Sequence, residues 1–223
     1  MKKILICGGH LSPALATIEE LKKHKDVEIT FVGRKHATEG SRENSAEYTV
    51  IGKMGIPFYE ITAGRLQRKF TPKTLPSLVK VPIGLTQAFY ILAKIKPNIV
   101  VSFGSYVSAP ITAAAAALNI KSVIHEQASI PGLATKINAK VAKKVFLTWP
   151  QSKKYFPNEN STVIGNLTRD LDAKTPKDAK IKKFLNGENF LLFMGGSQGS
   201  HIINNLAFEF VRKFKNYKIV HLL

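Results

Sequence analysis

Short apolar segments alternate with helical patterns along most of this 223-residue chain. Helical periodicity covers residues 12–24, 75–96 and 109–118, and each of these segments lies between two apolar runs. Strands that alternate with helices predict an α/β fold with a parallel, doubly wound sheet, in which ligands bind at the carboxyl ends of the strands. The predicted strands are residues 2–8, 27–33, 56–62, 98–104, 121–127, 143–149 and 162–166.

A second unit is predicted to begin near residue 189. The segment 189–214 contains an apolar strand, a glycine-rich turn and an amphipathic helix, and one further strand, residues 217–223, follows it. Unpaired backbone N–H groups and the positive end of a helix dipole meet at such a turn, where a phosphate group binds readily. We therefore predict a Rossmann-like domain over residues 1–166, a polar linker over 167–188 and the start of a second Rossmann-like domain over 189–223.

Positive charge dominates the chain and is concentrated in its middle. Lys and Arg total 33 against 15 Asp and Glu, a formal net charge of +18. Residues 61–158 contain fourteen of those cations and a single carboxylate, Glu126. A field of this sign attracts nucleic acid, an anionic membrane surface or a polyphosphate substrate, although a solvated, lysine-rich surface accounts for part of the excess. Because the chain has one tryptophan, Trp149 at a strand end, and no RNA-binding signature, nucleic acid is not the expected partner.

The basic middle segment also carries a candidate membrane surface. Cations beside an apolar helical face are typical of segments that lie on an anionic bilayer, although the apolar residues could instead form the core face of a helix. The uncharged stretch 97–120 is long enough to span a bilayer, but Gly104, Ser105 and Pro110 within it favour a strand, a turn and a helix. The residues predicted to meet a membrane surface are Arg65, Arg68, Lys69, Lys73, Leu75, Leu78 and Val79.

Two turns of small residues follow predicted strands in the N-terminal part. The first, CGGHLSPAL, lacks the GxGxxG pattern, and no acidic residue ends the second strand, so a NAD site is not expected. It places His10 at a helix N-terminus, where a neutral imidazole could accept a proton; a histidine that only hydrogen-bonds within the turn is the alternative. The second turn, SFGSYVSAP at residues 102–110, contains small residues that let a ligand approach the backbone.

The third candidate is Glu126, which follows a strand directly in IHEQASIPGL, residues 124–133. Its carboxylate could orient His10 or a lysine, bind a sugar hydroxyl or act as a base. A structural carboxylate that holds two loops together is the alternative, and the residues by themselves leave the choice open.

Taken in order, the segments GGHLSPALA, SFGSYVSAP, HEQ with SIPGL, IGNLTR and GGSQGS resemble the MurG family of glycosyltransferases. The resemblance covers essentially the whole chain, and HEQ and GGSQG are its most specific parts. It implies a GT-B fold, with two Rossmann-like domains that face a cleft. It also implies an inverting transfer of N-acetylglucosamine from UDP-N-acetylglucosamine to the 4-hydroxyl of lipid I, undecaprenyl-pyrophosphoryl-N-acetylmuramyl-pentapeptide, in peptidoglycan synthesis. No metal or other cofactor is implied, and the expected location is peripheral, on the cytoplasmic face of the cell membrane.

The resemblance also implies roles for individual residues of this sequence. Two residues become candidates for the catalytic base: His10 and Glu126. Six are implied in acceptor binding: Gly9, Gly104, Ser105, Tyr106, His125 and Gln127. Four are implied in donor binding: Arg169, Ser197, Gln198 and Gly199.

The sequence departs from the family pattern at several of these places. The first loop keeps only GGH of a longer GGTGGH, Ser105 replaces a usual glycine, Ala128 and Thr135 replace asparagines, and GNPVR has become GNLTR. Most residues expected to grip the UDP-sugar are absent from the sequence. We therefore expect negligible transferase activity from this chain alone, because the reaction needs donor and acceptor held in line, and a separate C-terminal half is a possible partner. A non-catalytic polyanion-binding module and a related lipid glycosyltransferase with another acceptor are the alternative functions.

Overall fold

The computed structural model describes residues 1–37, 42–64, 74–156, 160–169, 179–196 and 200–222, with the backbone alone for 74–79 and 179. The chain divides into two compact units, Met1–Asp170 and Leu171–Leu223. The first unit contains β1 (Lys2–Gly8), α1 (Leu11–Leu21), β2 (Val27–Gly33), α2 (Ala46–Lys53), β3 (Phe58–Glu60), α3 (Thr74–Ile95), β4 (Ile99–Phe103), α4 (Ser108–Ala117), β5 (Lys121–Glu126), α5 (Leu133–Ala139), β6 (Lys144–Leu147), a 3₁₀ helix (Pro150–Tyr155) and β7 (Ser161–Val163). The second contains α6 (Ala179–Leu185), β8 (Phe190–Met194), α7 (His201–Lys213) and β9 (Lys218–Leu222).

The seven strands of the first unit form one parallel sheet in the order β3-β2-β1-β4-β5-β6-β7. The chain winds outward from β1 to β3 in one direction and from β4 to β7 in the other, so the winding direction changes between β1 and β4. In doubly wound sheets this change of direction leaves a crevice at the carboxyl ends of the two strands. The predicted α/β class and the doubly wound sheet are confirmed.

Helices cover both faces of this sheet, which explains why its central strands are apolar along their whole length. On one face Leu5 and Val100 pack with α3 and α4 through side chains such as Ile91 and Ile111. On the other face Ile6, next to Leu5 in β1, packs with α1 and α2. Because successive strand residues point to opposite faces, one short strand contributes to both cores.

Two helices of the first unit, α2 and α5, lie in segments for which the sequence predicts no helix. Both are short, with eight and seven residues, so hydrophobic periodicity has little length over which to show. The start of α2 is fixed by Ser45, whose Oγ accepts a hydrogen bond from the Tyr48 N–H at 3.1 Å. The segment 34–47, which looks like a polar loop, therefore contains a capped helix start.

Helix α3 contains Pro82 and is the longest helix of the described residues. Within the described ranges, no helix combines the length and the apolar character needed to cross a bilayer. The uncharged stretch 97–120 forms β4 and α4, as predicted. Of the predicted membrane residues, Leu75, Leu78 and Val79 have their backbone in α3 and undescribed side chains, and the others lie outside the described residues: Arg65, Arg68, Lys69 and Lys73.

The second unit forms a βαβ element, in which β8 and β9 pair in parallel and α7 connects them. This confirms the predicted first βαβ of a second sheet. Helix α6 lies inside the segment 167–188, which the sequence predicts as linker. Its many lysines make the short apolar stripe at Ile181, Phe184 and Leu185 hard to recognise in the sequence. At the end of the helix, Lys218 Nζ donates hydrogen bonds to the carbonyl oxygens of Phe184 (2.6 Å) and Leu185 (3.2 Å). A cation at the C-terminal end of a helix stabilises it.

Gly84 in α3 and Gly52 in α2 offer a matched test of this packing. A Cβ on Gly84 would overlap the carbonyl oxygen of Thr62, whereas the space around Gly52 is open to 4 Å. Alanine normally stabilises a helix interior, so we expect Gly52→Ala to raise the free energy of unfolding by about 0.5–1 kcal/mol. Gly84→Ala should lower it by about 1–3 kcal/mol, because backbone must move to admit the methyl group.

Urea unfolding followed by circular dichroism measures both changes. Equal, positive effects of the two substitutions would show that α3 does not approach Thr62 this closely.

Candidate functional site

The turns after β1 and β4 touch each other at the point where the winding direction of the sheet changes. The Gly9 N–H donates to the Gly104 carbonyl oxygen at 3.4 Å. A Cβ on Gly9 would lie 2.7 Å from Ser105 Cβ, so only glycine fits at position 9 beside this serine. The two small-residue turns of the sequence therefore form one junction at the carboxyl edge of the sheet.

The second turn has a left-handed backbone, which helices α4 and α5 hold in place. Gly104 and Ser105 both have φ of 67°, a conformation that costs energy for serine. The Ser105 carbonyl oxygen accepts hydrogen bonds from the Ser108 N–H at 3.2 Å and from Ser108 Oγ at 2.9 Å. Asn138 Nδ2 in turn donates to Ser108 Oγ at 3.2 Å. This chain of contacts fixes the turn at the N-terminal end of α4.

His10 precedes the first residue of α1 and is partly exposed beside the second turn. A Cβ on Gly104 would lie 3.4 Å from His10 Cδ2 and 3.3 Å from Thr135 Oγ1. The imidazole and the buried Thr135 hydroxyl thus occupy the space into which a side chain at position 104 would project. Within the described first turn of α1, the His10 side chain makes no capping hydrogen bond. The ring is therefore placed to meet a ligand that approaches the junction.

Glu126 lies at the end of β5 and is 2% exposed. Its Oε1 accepts a hydrogen bond from the Ala128 N–H at 2.8 Å, which closes the turn that follows the strand. The Gln127 carbonyl oxygen accepts from Trp149 Nε1 at 3.0 Å, and Ser152 Oγ donates to the Ala128 carbonyl oxygen at 3.2 Å. The turn of the HEQ segment is consequently fastened to the 3₁₀ helix.

His125 is buried, and its ring lies at 6.0 Å from the ring of Phe103 at the end of β4. Its Nε2 lies 3.4 Å from both the Gly165 carbonyl oxygen and Thr148 Oγ1. Burial lowers the pKa of His125, and this effect outweighs the opposing hydrogen bond to Gly165. A neutral His125 therefore joins the HEQ segment to the IGN segment.

Arg34 is a residue of the site that sequence reasoning missed. It follows β2 directly, at the same edge of the sheet, and its Nη1 donates to Tyr106 Oη at 2.9 Å. Its guanidinium also lies over the Tyr106 ring at 5.6 Å, and its Nε is 3.9 Å from Glu47 Oε1. Its position directly after a strand could have identified it as a site residue. Among the many lysines of the chain, however, this single arginine did not stand out.

The predicted donor residues fall in different places. Arg169 pairs with Glu19 of α1, with Nε 2.8 Å and Nη2 2.6 Å from Glu19 Oε1. This contact lies within the first unit and ties the segment after β7 to α1. Ser197, Gln198 and Gly199 lie outside the described residues.

The junction therefore combines groups suited to an anionic ligand that carries a hydroxyl. The dipoles at the N-terminal ends of α1 and α4 favour a phosphate, and Arg34 adds a fixed cation beside the second turn. The imidazole of His10 could accept the hydroxyl proton. The structure brings together Gly9, His10, Gly104, Ser105 and Tyr106 at this junction.

The contact between Gly9 and Ser105 can be tested by a double-mutant cycle. We expect Gly9→Ala to lower the free energy of unfolding by about 1–3 kcal/mol, because the new methyl group overlaps the Ser105 side chain. In a Ser105→Gly background the same substitution should cost less than half as much, since the atoms it meets are gone. Chemical denaturation of the four proteins gives the coupling, and equal costs in both backgrounds would contradict the proposed contact.

Comparison with known proteins relates this site to a family. Residues 7–147 match the glycosyltransferase family 28 N-terminal domain. Among curated relatives, the UDP-N-acetylglucosamine--N-acetylmuramyl-(pentapeptide) pyrophosphoryl-undecaprenol N-acetylglucosamine transferase of Borrelia garinii subsp. bavariensis is 33% identical over 96% of this chain and 58% of the relative. The enzyme of the same name from Finegoldia magna is 34% identical over 94% of this chain and 56% of the relative. The chain thus spans little more than half the length of these relatives.

Solved structures share the fold. Acinetobacter baumannii MurG aligns over 100% of this chain and 68% of its own, with a TM-score of 0.62 and 20% identity. A UDP-GlcNAc 2-epimerase from Neisseria meningitidis aligns over 100% of this chain and 65% of its own, with a TM-score of 0.64 and 15% identity. These likenesses agree with the predicted GT-B fold class. The match over residues 7–147 shows that the chain belongs to glycosyltransferase family 28 and carries its N-terminal domain.

Proposed function

We propose that the chain is the acceptor-binding part of an inverting glycosyltransferase that moves N-acetylglucosamine from UDP-N-acetylglucosamine to the 4-hydroxyl of lipid I, which gives lipid II in peptidoglycan synthesis. The observation that carries the proposal is the junction of the β1 and β4 turns, where His10 lies beside Gly104 and the N-terminal ends of α1 and α4 meet. Relatives that are 33–34% identical bear the name of this activity, which supports the choice of substrates.

In the proposed complex, the diphosphate of the acceptor lies against the turn Gly104 to Tyr106. The N-terminal end of α4 and the Arg34 guanidinium offset its negative charge. A diphosphate held there brings the sugar that it carries to the exposed edge where His10 lies. The strongly cationic character of residues 61–158 supports a ligand of this charge.

His10 is the proposed catalytic base. It accepts the proton of the acceptor 4-hydroxyl as the oxygen attacks the anomeric carbon of the donor sugar, and UDP leaves with the electrons of the broken bond. Glu126 is less suited to this step because it is 2% exposed and its carboxylate accepts a hydrogen bond within its own turn. We propose that Glu126, His125 and Gln127 position the loop that faces the acceptor. The reaction requires no metal or other cofactor.

On the donor side, Arg169, Ser197, Gln198 and Gly199 are the proposed contacts, and this side needs further polypeptide. Strands β8 and β9 form a parallel pair with half-exposed apolar side chains on β8, such as Phe190 and Leu192. Parallel sheets occur almost only with both faces covered. A C-terminal half, continuous with this chain or separate from it, is therefore the proposed partner that completes the UDP-sugar site.

We propose a peripheral position on the cytoplasmic face of the cell membrane, where lipid I would be presented. Support comes from the sequence, in which basic residues precede α3 and apolar residues occupy the start of the helix. The residues proposed to meet the anionic surface are Arg65, Arg68, Lys69, Lys73, Leu75, Leu78 and Val79.

Transfer from labelled UDP-N-acetylglucosamine to a short-chain lipid I analogue tests the proposal. The proteins are the chain alone and the chain fused to the C-terminal half of the Finegoldia magna relative. We expect turnover by the fusion and negligible turnover by the chain alone, because positioning of donor and acceptor is lost without the second half. In the fusion, His10→Gln should reduce kcat by about 10²–10⁴.

His24→Gln is the matched control, because His24 is an exposed histidine just beyond the other end of the same helix. Robust turnover by the chain alone would refute the assignment of the donor side. Equal losses from the two histidine variants would refute the role of His10. A fusion without turnover that binds RNA in a salt-dependent manner would favour the alternative of a polyanion-binding module.

A further inference from the structure

An apolar cavity of about 350 Å³ lies between α3, α4 and α5, on the face of the sheet opposite α1 and α2. Small side chains of α4 keep it open, since Ala109, Pro110 and Ala113 line one wall. Leu85 of α3 and Val141 after α5 line the others. The volume falls in the range of about 300–1,000 Å³ that is typical of ligand pockets.

The rim of this cavity is apolar as well. Val81 is 39% exposed, Ile137 46% and Val141 51%, and all three line the cavity. Scattered single apolar residues on a surface need no explanation, but a group that surrounds an apolar cavity indicates a binding surface.

Tyr106 connects this cavity to the junction of the two turns. Tyr106 lines the cavity, and its hydroxyl accepts the hydrogen bond from Arg34 at 2.9 Å. Lys80 lies on the cavity wall contributed by α3. The polar turn and the apolar cavity are therefore adjacent, with Arg34 beside the turn and Lys80 on the cavity wall. A ligand that fits both must carry its negative charge at one end of an apolar chain.

We propose that this cavity binds the isoprene units nearest the diphosphate of the acceptor lipid, so that the enzyme recognises the polyprenyl chain as well as the polar head. The inference rests on the proposed function, because the diphosphate must lie at the turn Gly104 to Tyr106. Continuity through Tyr106 favours the chain of the bound acceptor over the acyl chain of a neighbouring phospholipid. A phospholipid whose acyl chain filled the cavity would place its own phosphate at the turn Gly104 to Tyr106, where it would compete with the acceptor diphosphate.

The test compares the affinities of two probes, inorganic diphosphate and farnesyl diphosphate, measured by calorimetry on the full chain. We expect farnesyl diphosphate to bind at least about tenfold more tightly, because its apolar chain is transferred from water into the apolar cavity. Ala113→Leu should fill the cavity and reduce this advantage to within about twofold, with the affinity for inorganic diphosphate unchanged. Ala113 is exposed and helical, so a leucine there is compatible with folding.

Ala46→Leu is the matched control, since Ala46 is an exposed alanine of α2 on the opposite face of the sheet. This variant should keep the full advantage of farnesyl diphosphate. Sedimentation with vesicles of phosphatidylcholine and phosphatidylglycerol should be the same for both variants and the unsubstituted chain.

Three results would overturn the inference, and they differ from one another. Equal binding of the two probes would leave the diphosphate site in place and remove the chain subsite. An Ala113→Leu variant that loses vesicle binding but keeps the affinity for farnesyl diphosphate would make the cavity part of a bilayer-facing surface. Failure of both probes to bind would refute the acceptor site itself, and with it the proposed function.

Discussion

The close approach of two turns at the centre of the sheet determines the rest of the site. Gly9 lies against Ser105, and its N–H donates to the Gly104 carbonyl oxygen, so the N-terminal ends of α1 and α4 open at the same edge. A side chain at position 9 would separate the turns and move His10 away from Gly104. The parallel order of the strands creates the crevice, but this glycine allows its two walls to meet.

Around that junction, each neighbouring element holds one part of the site in place. Asn138 of α5 reaches Ser108, which binds the strained Ser105, and His125 of β5 reaches Gly165 after β7. These contacts are single hydrogen bonds of modest net energy, about 0.5–1.5 kcal/mol each. Their importance is geometric, because they hold the second turn and the His125 ring in place before a ligand arrives, which lowers the entropy cost of binding.

The sequence predicted the central part of the fold well and the short elements poorly. Strands such as β1 and β4 are buried on both faces, so their continuous apolar runs identify them without any knowledge of their neighbours. Helices α2 and α5 have only about two turns each, and α6 lies in a lysine-rich segment, so periodicity could not reveal them. Among the site residues, His10 and the second turn followed from their position after strands. Arg34 and Thr135 gain their relevance from contacts across the sheet edge, which no local pattern contains.

The acceptor diphosphate is proposed to bind where the β1 and β4 turns meet. Backbone amide chemical shifts of the isotope-labelled chain, followed during titration with inorganic diphosphate, test it most directly. We expect the largest saturable changes at Gly9, His10, Gly104, Ser105 and Tyr106. Changes centred instead on the glycine-rich segment 195–199, or on the 3₁₀ helix Pro150–Tyr155, would contradict it.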